Sequence, residues 1–218
     1  PRDIRLGDIA VLLRSRKFTA DRYADILRRW GIPAHADSGT GFFESQEIRD
    51  LIALLQVIDN QRQDINLAAM LRGPIGLSYQ GGSATSLEDD LAAVRLAYHD
   101  ADPPLPFHEA ILRYAAEQRN PLAGRLSACL ARLRDWRERV HQRPVAEVLR
   151  SIYDDAGLLA YYAGLPDGDQ RAANLEELYR RSAQFGAFAR QGLARFLRFL
   201  QNLERDSDLG QPSLDPEG

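Results

Sequence analysis

Lysine is almost absent from this 218-residue chain: of 28 basic side chains only Lys17 is one, and the rest are arginine. A loop that cradles nucleotide phosphates needs a lysine after a glycine-rich turn, so that its ammonium reaches the β- and γ-phosphates. Lys17 stands in SRKFT with no glycine before it. These residues therefore hold no nucleotide-hydrolysing loop of that kind. The same scarcity leaves no pattern for Schiff-base chemistry or for the D-x-K arrangement of many metal nucleases. Cys129 is the only cysteine, which excludes an internal disulfide and points to a reducing compartment. No apolar run approaches the roughly 18 residues of a membrane span, and PRDIRLGD at the start carries no apolar signal region. His35, His99, His108 and His141 are dispersed without ligand spacing, so no metal site is expected. No nucleophile-elbow pattern supports hydrolase chemistry.

What remains is the composition of an ordinary globular protein with a net charge of −3. IAVLLR (9–14) reads as a short β-strand ending in a cation, and residues 19–30 have helical spacing closed by Gly31. IPAHA reads as a second strand and DSGTG as a turn. Then, in FFESQEIRDLIALLQVIDN, Ile48, Leu51, Ile52, Leu55 and Ile58 fall on one helical face, with Ser45 placed to cap it and Glu47 on its first turn. A helix over 65–72 and a Gly/Ser-rich loop follow.

After Ser86 the pattern is helical throughout: 87–99, 107–117, a long helix opened by Asn120 and Pro121, another from Pro144 to Gly157, and two more in ANLEELYRRSAQF and LARFLRFLQNLERD. Leu122, Leu126, Cys129, Leu133, Trp136 and Val140 trace the apolar stripe of the long helix. The expected fold is mainly α with a small α/β N-terminal portion. Its predicted divisions are 1–44, 45–205 and an acidic flexible tail over 206–218.

The order IAVLLRS, GIPAHADSGTGFFESQEIRDLIALLQVIDNQRQD and LAAMLRGPIGLS resembles superfamily 1 DNA helicases of the UvrD, PcrA and Rep type. LLRS, IDN and RGPIG look most like the AddA branch, the helicase–nuclease subunit related to RecB. ANLEELYRRSAQF and FLRFLQNLE extend that likeness over nearly the whole chain. The resemblance implies an interior piece of such an enzyme: the start of motor domain 2A, with a helical 2B bundle inserted into an incomplete RecA-like parallel sheet. It implies ATP and Mg in the full-length parent and none bound to this piece, which would be inactive alone. It implies DNA, a duplex with a single-stranded tail, as the substrate of a 3′–5′ translocase in double-strand-break repair. The remaining motor domains and an AddB-like partner subunit would be its partners, in the bacterial cytoplasm. A repair helicase without a nuclease, or a non-catalytic helical interaction module, are the alternatives.

By that resemblance Arg14 is the fourth-motif arginine that senses the γ-phosphate, and Leu13 stands where an aromatic would stack on adenine. PIGLS is similar to a loop that touches the duplex backbone, one residue short and without its arginine. Gly73, Gly76 and Ser78 either contact DNA there or form a plain turn. Arg125, Arg132, Arg139 and Arg143 line one face of the long helix and either follow a phosphate backbone, meet a partner or face solvent. Glu44, Glu47 and Asp50 read as dipole compensation and ion pairing rather than a metal site. Tyr161 and Tyr162 either stack on bases or pack in the core. If IAVLLR lacks its sheet partners, an unpaired edge is expected to self-associate or be covered.

Overall fold

The computed structural model describes residues 6–14, 20–34, 41–76, 87–187 and 192–208, and the chain divides into two units, Pro1–Glu44 with Leu203–Gly218 and Ser45–Asn202. In the first unit a 3-10 turn (Leu6–Asp8) leads into 9–14, then come α1 (Ala20–Arg29) and the short α2 (Gly41–Glu44). Gly31 does stop α1. It takes φ +75°, and the N–H groups of Gly31 and Ile32 donate to the carbonyls of Arg28 and Leu27, the paired bonds that close a helix through a left-handed residue.

The strand expected at 9–14 is not formed. A strand exists only through a ladder partner for its N–H and C=O groups, and none stands beside it among the described residues. Residues 32–34 of the expected second strand are likewise irregular, and 35–40 lie outside the described residues. Mainly helical is therefore the fold class observed; among the described residues there is no strand.

The second unit is built around α3 (Gln46–Asp59), whose Ile48, Leu51, Leu54 and Leu55 are fully buried. It packs against α4 (Asp64–Arg72), α7 (Pro121–Gln142) and α10 (Gly168–Ala187). The other helices are α5 (Leu87–Ala97), α6 (Phe107–Glu117), α8 (Val145–Ala156), α9 (Leu158–Ala163) and α11 (Leu193–Asp208). α6 packs on α4, α5 and α7, while α10 also covers α8 and α9.

Asn120 caps α7 as its sequence predicts, accepting the Ala123 N–H at 2.9 Å. Ser45 precedes α3 in extended conformation, but its side chain makes no cap bond. The α7 stripe is buried from Leu122 to Trp136 and ends there, with Val140 only half-buried. Gly157 closes α8 in the left-handed conformation. Phe185 on α10 meets Phe196 and Phe199 on α11, with centroids 5.4 and 5.3 Å away. No helix among the described residues is long and apolar enough to cross a membrane.

Candidate functional site

In the first unit Arg14 is exposed and Leu13 half-buried, both at the end of the irregular segment 9–14. Ile9, Val11 and Leu12 beside them are exposed too, Leu12 to 95%. On α1 and just after it, Tyr23, Ile26, Trp30 and Ile32 add to the exposed apolar surface.

In the second unit, the glycine turn and the arginine row of α7, far apart in sequence, meet in one place. Gly73 ends α4 with its N–H directed at the carbonyls of Ala69 and Met70, and the Gly76 N–H donates to the Gly73 carbonyl at 3.1 Å. Residues 73–76 are buried. Arg132 reaches across from α7 and donates to the Ile75 carbonyl at 3.0 Å. The turn is thus stapled to the bundle from both ends. The amides of Gly73 and Gly76 are engaged inside it, where a phosphate contact would need them open to solvent. Ser78 lies outside the described residues.

The other arginines of that row divide by partner. Arg125 pairs with the buried Asp90 of α5 at 2.5 Å. Arg139 joins Asp135 at 2.6 Å and Asp155 at 3.0 Å, and Asp155 also accepts the Trp136 indole N–H. Only Arg143 of the four is fully exposed, and its contribution to α7 is the backbone N–H that closes the last turn on Arg139. Heptad spacing placed the row on one side of the helix, yet that side crosses three different neighbours. Each arginine meets whichever one it reaches.

The acidic start of α3 proves to be a buried polar hub. Glu47 is buried and accepts from Arg171 Nη1 and Asn174 Nδ2 on α10, both at 2.7 Å. One turn on, Asp50 accepts the Tyr162 hydroxyl at 2.7 Å and the Gln46 amide at 2.7 Å. Burial pushes the Asp50 carboxyl above its ordinary range, with the hydrogen bonds from Tyr162 and Gln46 working against the shift. Burial, reinforced by the Asp50 carboxylate, pushes the Tyr162 phenol up strongly. Tyr162 is therefore a core hydroxyl, and Tyr161, in edge contact with it at 5.1 Å, is the exposed one of the pair. Ion pairing was expected for these carboxylates, but full burial was not. Their partners lie more than a hundred residues away, beyond any local pattern.

A second carboxylate missed in sequence is Asp64. It accepts the N–H groups of Phe107 and His108 at 2.9 and 3.0 Å, capping α6 from another helix, and also takes His108 Nδ1 at 2.8 Å. Burial works to raise its pKa, but these hydrogen bonds outweigh it and hold Asp64 below the usual carboxylate range. Pro106 precedes α6 and has no side-chain cap to offer, so Asp64 is the side chain that serves the helix start. Cys129 is buried on α7, and burial raises its thiol pKa, as suits a packing residue.

Comparison with known proteins bears on the whole chain. Residues 1–86 match the family of the UvrD-like helicase C-terminal domain. Three proteins, each named as the A-type subunit of an ATP-dependent helicase/nuclease, are similar over nearly the full chain. Those of Desulforamulus reducens, Pelotomaculum thermopropionicum and Desulforudis audaxviator are 37%, 39% and 42% identical over 96%, 98% and 93% of it. The resemblance read from the motifs therefore holds, in both its helicase family and its helicase–nuclease branch. The chain spans 16% of the length of each of these relatives.

Proposed function

We propose that this chain works as one segment of an ATP-dependent DNA helicase–nuclease subunit of the AddA type, acting in double-strand-break repair and recombination. The observation that carries this is the identity of 37–42% spread over nearly the entire chain, against relatives of that name. Residues 1–44 would belong to motor domain 2A, 45–205 to the helical 2B insertion and 206–218 to the link onward. A division of the chain at Glu44/Ser45 supports that boundary. The match to the UvrD-like family alone would equally suit a repair helicase without a nuclease; the relatives' names favour the helicase–nuclease.

In this reading the parent binds ATP and Mg in another motor domain, since no phosphate-binding lysine loop occurs here. Arg14 supplies positive charge to the γ-phosphate during phosphoryl transfer, with Leu13 packing beside the base. The remaining motor domains, an AddB-like partner subunit, with a tailed DNA duplex as substrate, complete the assembly in the bacterial cytoplasm. The helical unit contributes a DNA- or partner-facing surface. Arg143 is the cation of the α7 row best exposed for a phosphate, whereas Arg125, Arg132 and Arg139 act chiefly as internal ties.

The test is binding of this chain to a labelled duplex with a 3′ single-stranded overhang across a salt series. Binding should weaken steeply with salt, and Arg143→Ala should lower the slope of log K against log salt by about one. Arg14→Ala, placed in the full-length parent, should leave that DNA affinity intact while lowering ATP turnover on the order of 10²-fold. An absence of DNA binding at low salt would remove the DNA-facing role from this segment. ATP turnover untouched by Arg14→Ala would remove the γ-phosphate role.

The exposed run at Ile9, Val11 and Leu12 is proposed to pair with a second copy when the segment is isolated. Sedimentation should show concentration-dependent dimers that Leu12→Asp converts to monomer. A wild-type segment that stays monomeric at high concentration rules this out.

A further inference from the structure

A cavity of about 290 Å³ opens where the α3–α4 connection meets α4, α6 and α7. Its apolar lining is Leu67, Leu112 and Leu130. Its cations are Arg62 and Arg137. The His108 ring completes the wall between them.

Three features make this a built site rather than a gap. First, the ring of His108 is fixed. Asp64 is held as a carboxylate by two backbone N–H groups and by the imidazole, so Nδ1 must be the donor and Nε2 is left to interact elsewhere. Secondly, the two arginines keep their charge uncompensated. Arg137 donates to Gln61 Oε1 at 2.8 Å, a neutral acceptor, and neither Arg62 nor Arg137 forms an ion pair among the described residues. Arg125, Arg139, Arg171 and Arg181 of the same unit all do. Thirdly, the amides beside the cavity have their oxygens engaged and their NH₂ groups available. Asn60 Oδ1 accepts the Arg62 N–H at 3.0 Å, and Gln61 Oε1 accepts Arg137. Side-chain amides presented this way offer donors to carbonyl oxygens.

Unpaired guanidinium groups attract an anion, three leucines favour a flat apolar body, and amide donors suit its carbonyl edge. We infer that this cavity takes one pyrimidine nucleotide unit, its phosphate on Arg62 and Arg137 and its base over Leu67, Leu112 and Leu130. Ligand cavities start at about 300 Å³, so the volume fits a single small nucleotide better than a larger ligand. Opposing charge comes from Glu109, whose Oε1 is 3.9 Å from His108 Nε2 and whose side chain is more than half exposed. The inference rests on the DNA reading above and specifies a place where a strand could be gripped. The same chemistry would serve a free nucleotide.

The experiment is methyl NMR of the 218-residue chain labelled at leucine, titrated with dTMP, thymidine, inorganic phosphate and a thymidine hexanucleotide without terminal phosphate. The expected result is movement of the Leu67, Leu112 and Leu130 methyl signals with dTMP, with little movement for thymidine or phosphate alone. Arg137→Gln and the exposed Arg62→Gln should each weaken dTMP binding about tenfold, the size of loss for a hydrogen bond to a charged group. Glu109→Gln should tighten it. Movement with the hexanucleotide assigns the site to a strand, while movement with dTMP only assigns it to a free or terminal nucleotide. Either supports the pyrimidine-nucleotide class. Leucine signals unmoved by all four probes, or dTMP affinity unchanged in both arginine variants, overturns the inference. Binding of the tailed duplex with those leucines unmoved would sink it and leave the DNA reading standing. Movement with dTMP in a chain that ignores the duplex would do the reverse.

Discussion

Replacing Glu47 by alanine is expected to lower the stability of the helical unit by about 3 kcal/mol, the largest single loss we anticipate from a side chain in this chain. Removing one member of a buried ion pair costs about 3–5 kcal/mol, because the other charge is left without compensation. Here the lower end applies: Arg171 is 26% exposed and recovers part of its hydration, whereas the Glu47 side chain is only 2% exposed. Asn174 also loses its acceptor, adding the cost of a buried amide without a partner. Glu47→Gln keeps an oxygen for Asn174 and should cost about half as much. The Glu47→Ala/Arg171→Ala pair should cost less than the sum of the single changes, since the second removes the group stranded by the first. Urea unfolding followed by circular dichroism measures all four. A loss below about 1 kcal/mol for Glu47→Ala would mean that the hub is decorative.

The consequence reaches beyond stability. Glu47 and Asp50 sit on consecutive turns at the start of α3, immediately after the boundary between the two units, and fasten that start to α9 and α10. A helix that leaves one unit and enters another needs its first turns held firmly if the direction of exit is to be fixed. Buried, fully paired carboxylates do this with more directional precision than leucines could, because each hydrogen bond constrains an angle as well as a distance.

How much of this was legible beforehand follows from the range of each interaction. Helix periodicity, the Asn120 cap and the Gly31 and Gly157 stops are local, and the sequence states them within a few residues. The family likeness was legible as well, because ordered short blocks survive where overall identity is modest. The role of Glu47 was only half legible: a carboxylate on a first turn is the ordinary dipole pattern, and nothing nearby announces an arginine 124 residues on. Asp64 and His108 were opaque for the same reason, at a separation of 44. The expected strand at 9–14 shows the opposite failure. Its apolar run is a local signal for β structure, but a strand requires a neighbour, and among the described residues none is there.

The second large effect is expected at Gly76. A Cβ built there would stand 2.5 Å from the Leu71 Cα and from the carbonyl oxygens of Leu71 and Met70. All three are backbone atoms at the end of α4, so no rotamer change relieves the clash and the turn itself must move. Overpacking of this kind costs about 1–3 kcal/mol. For Gly76→Ala the upper end applies, because moving the turn also pulls the Ile75 carbonyl off Arg132. Gly124→Ala is the matched control with the opposite sign. It lies within α7, exposed, with nothing within 4 Å of its added Cβ, so alanine should stabilise by about 0.5–1 kcal/mol. The comparison decides why a glycine stands in the GPIG turn. If it is there so that the main chain can approach a phosphate, Gly76→Ala should weaken DNA binding while leaving thermal unfolding near the parent value. If it is there because α4 and the turn share the same space, unfolding should move well before any change in DNA affinity of the folded fraction. The buried amides and the backbone contacts at 2.5 Å favour the second outcome.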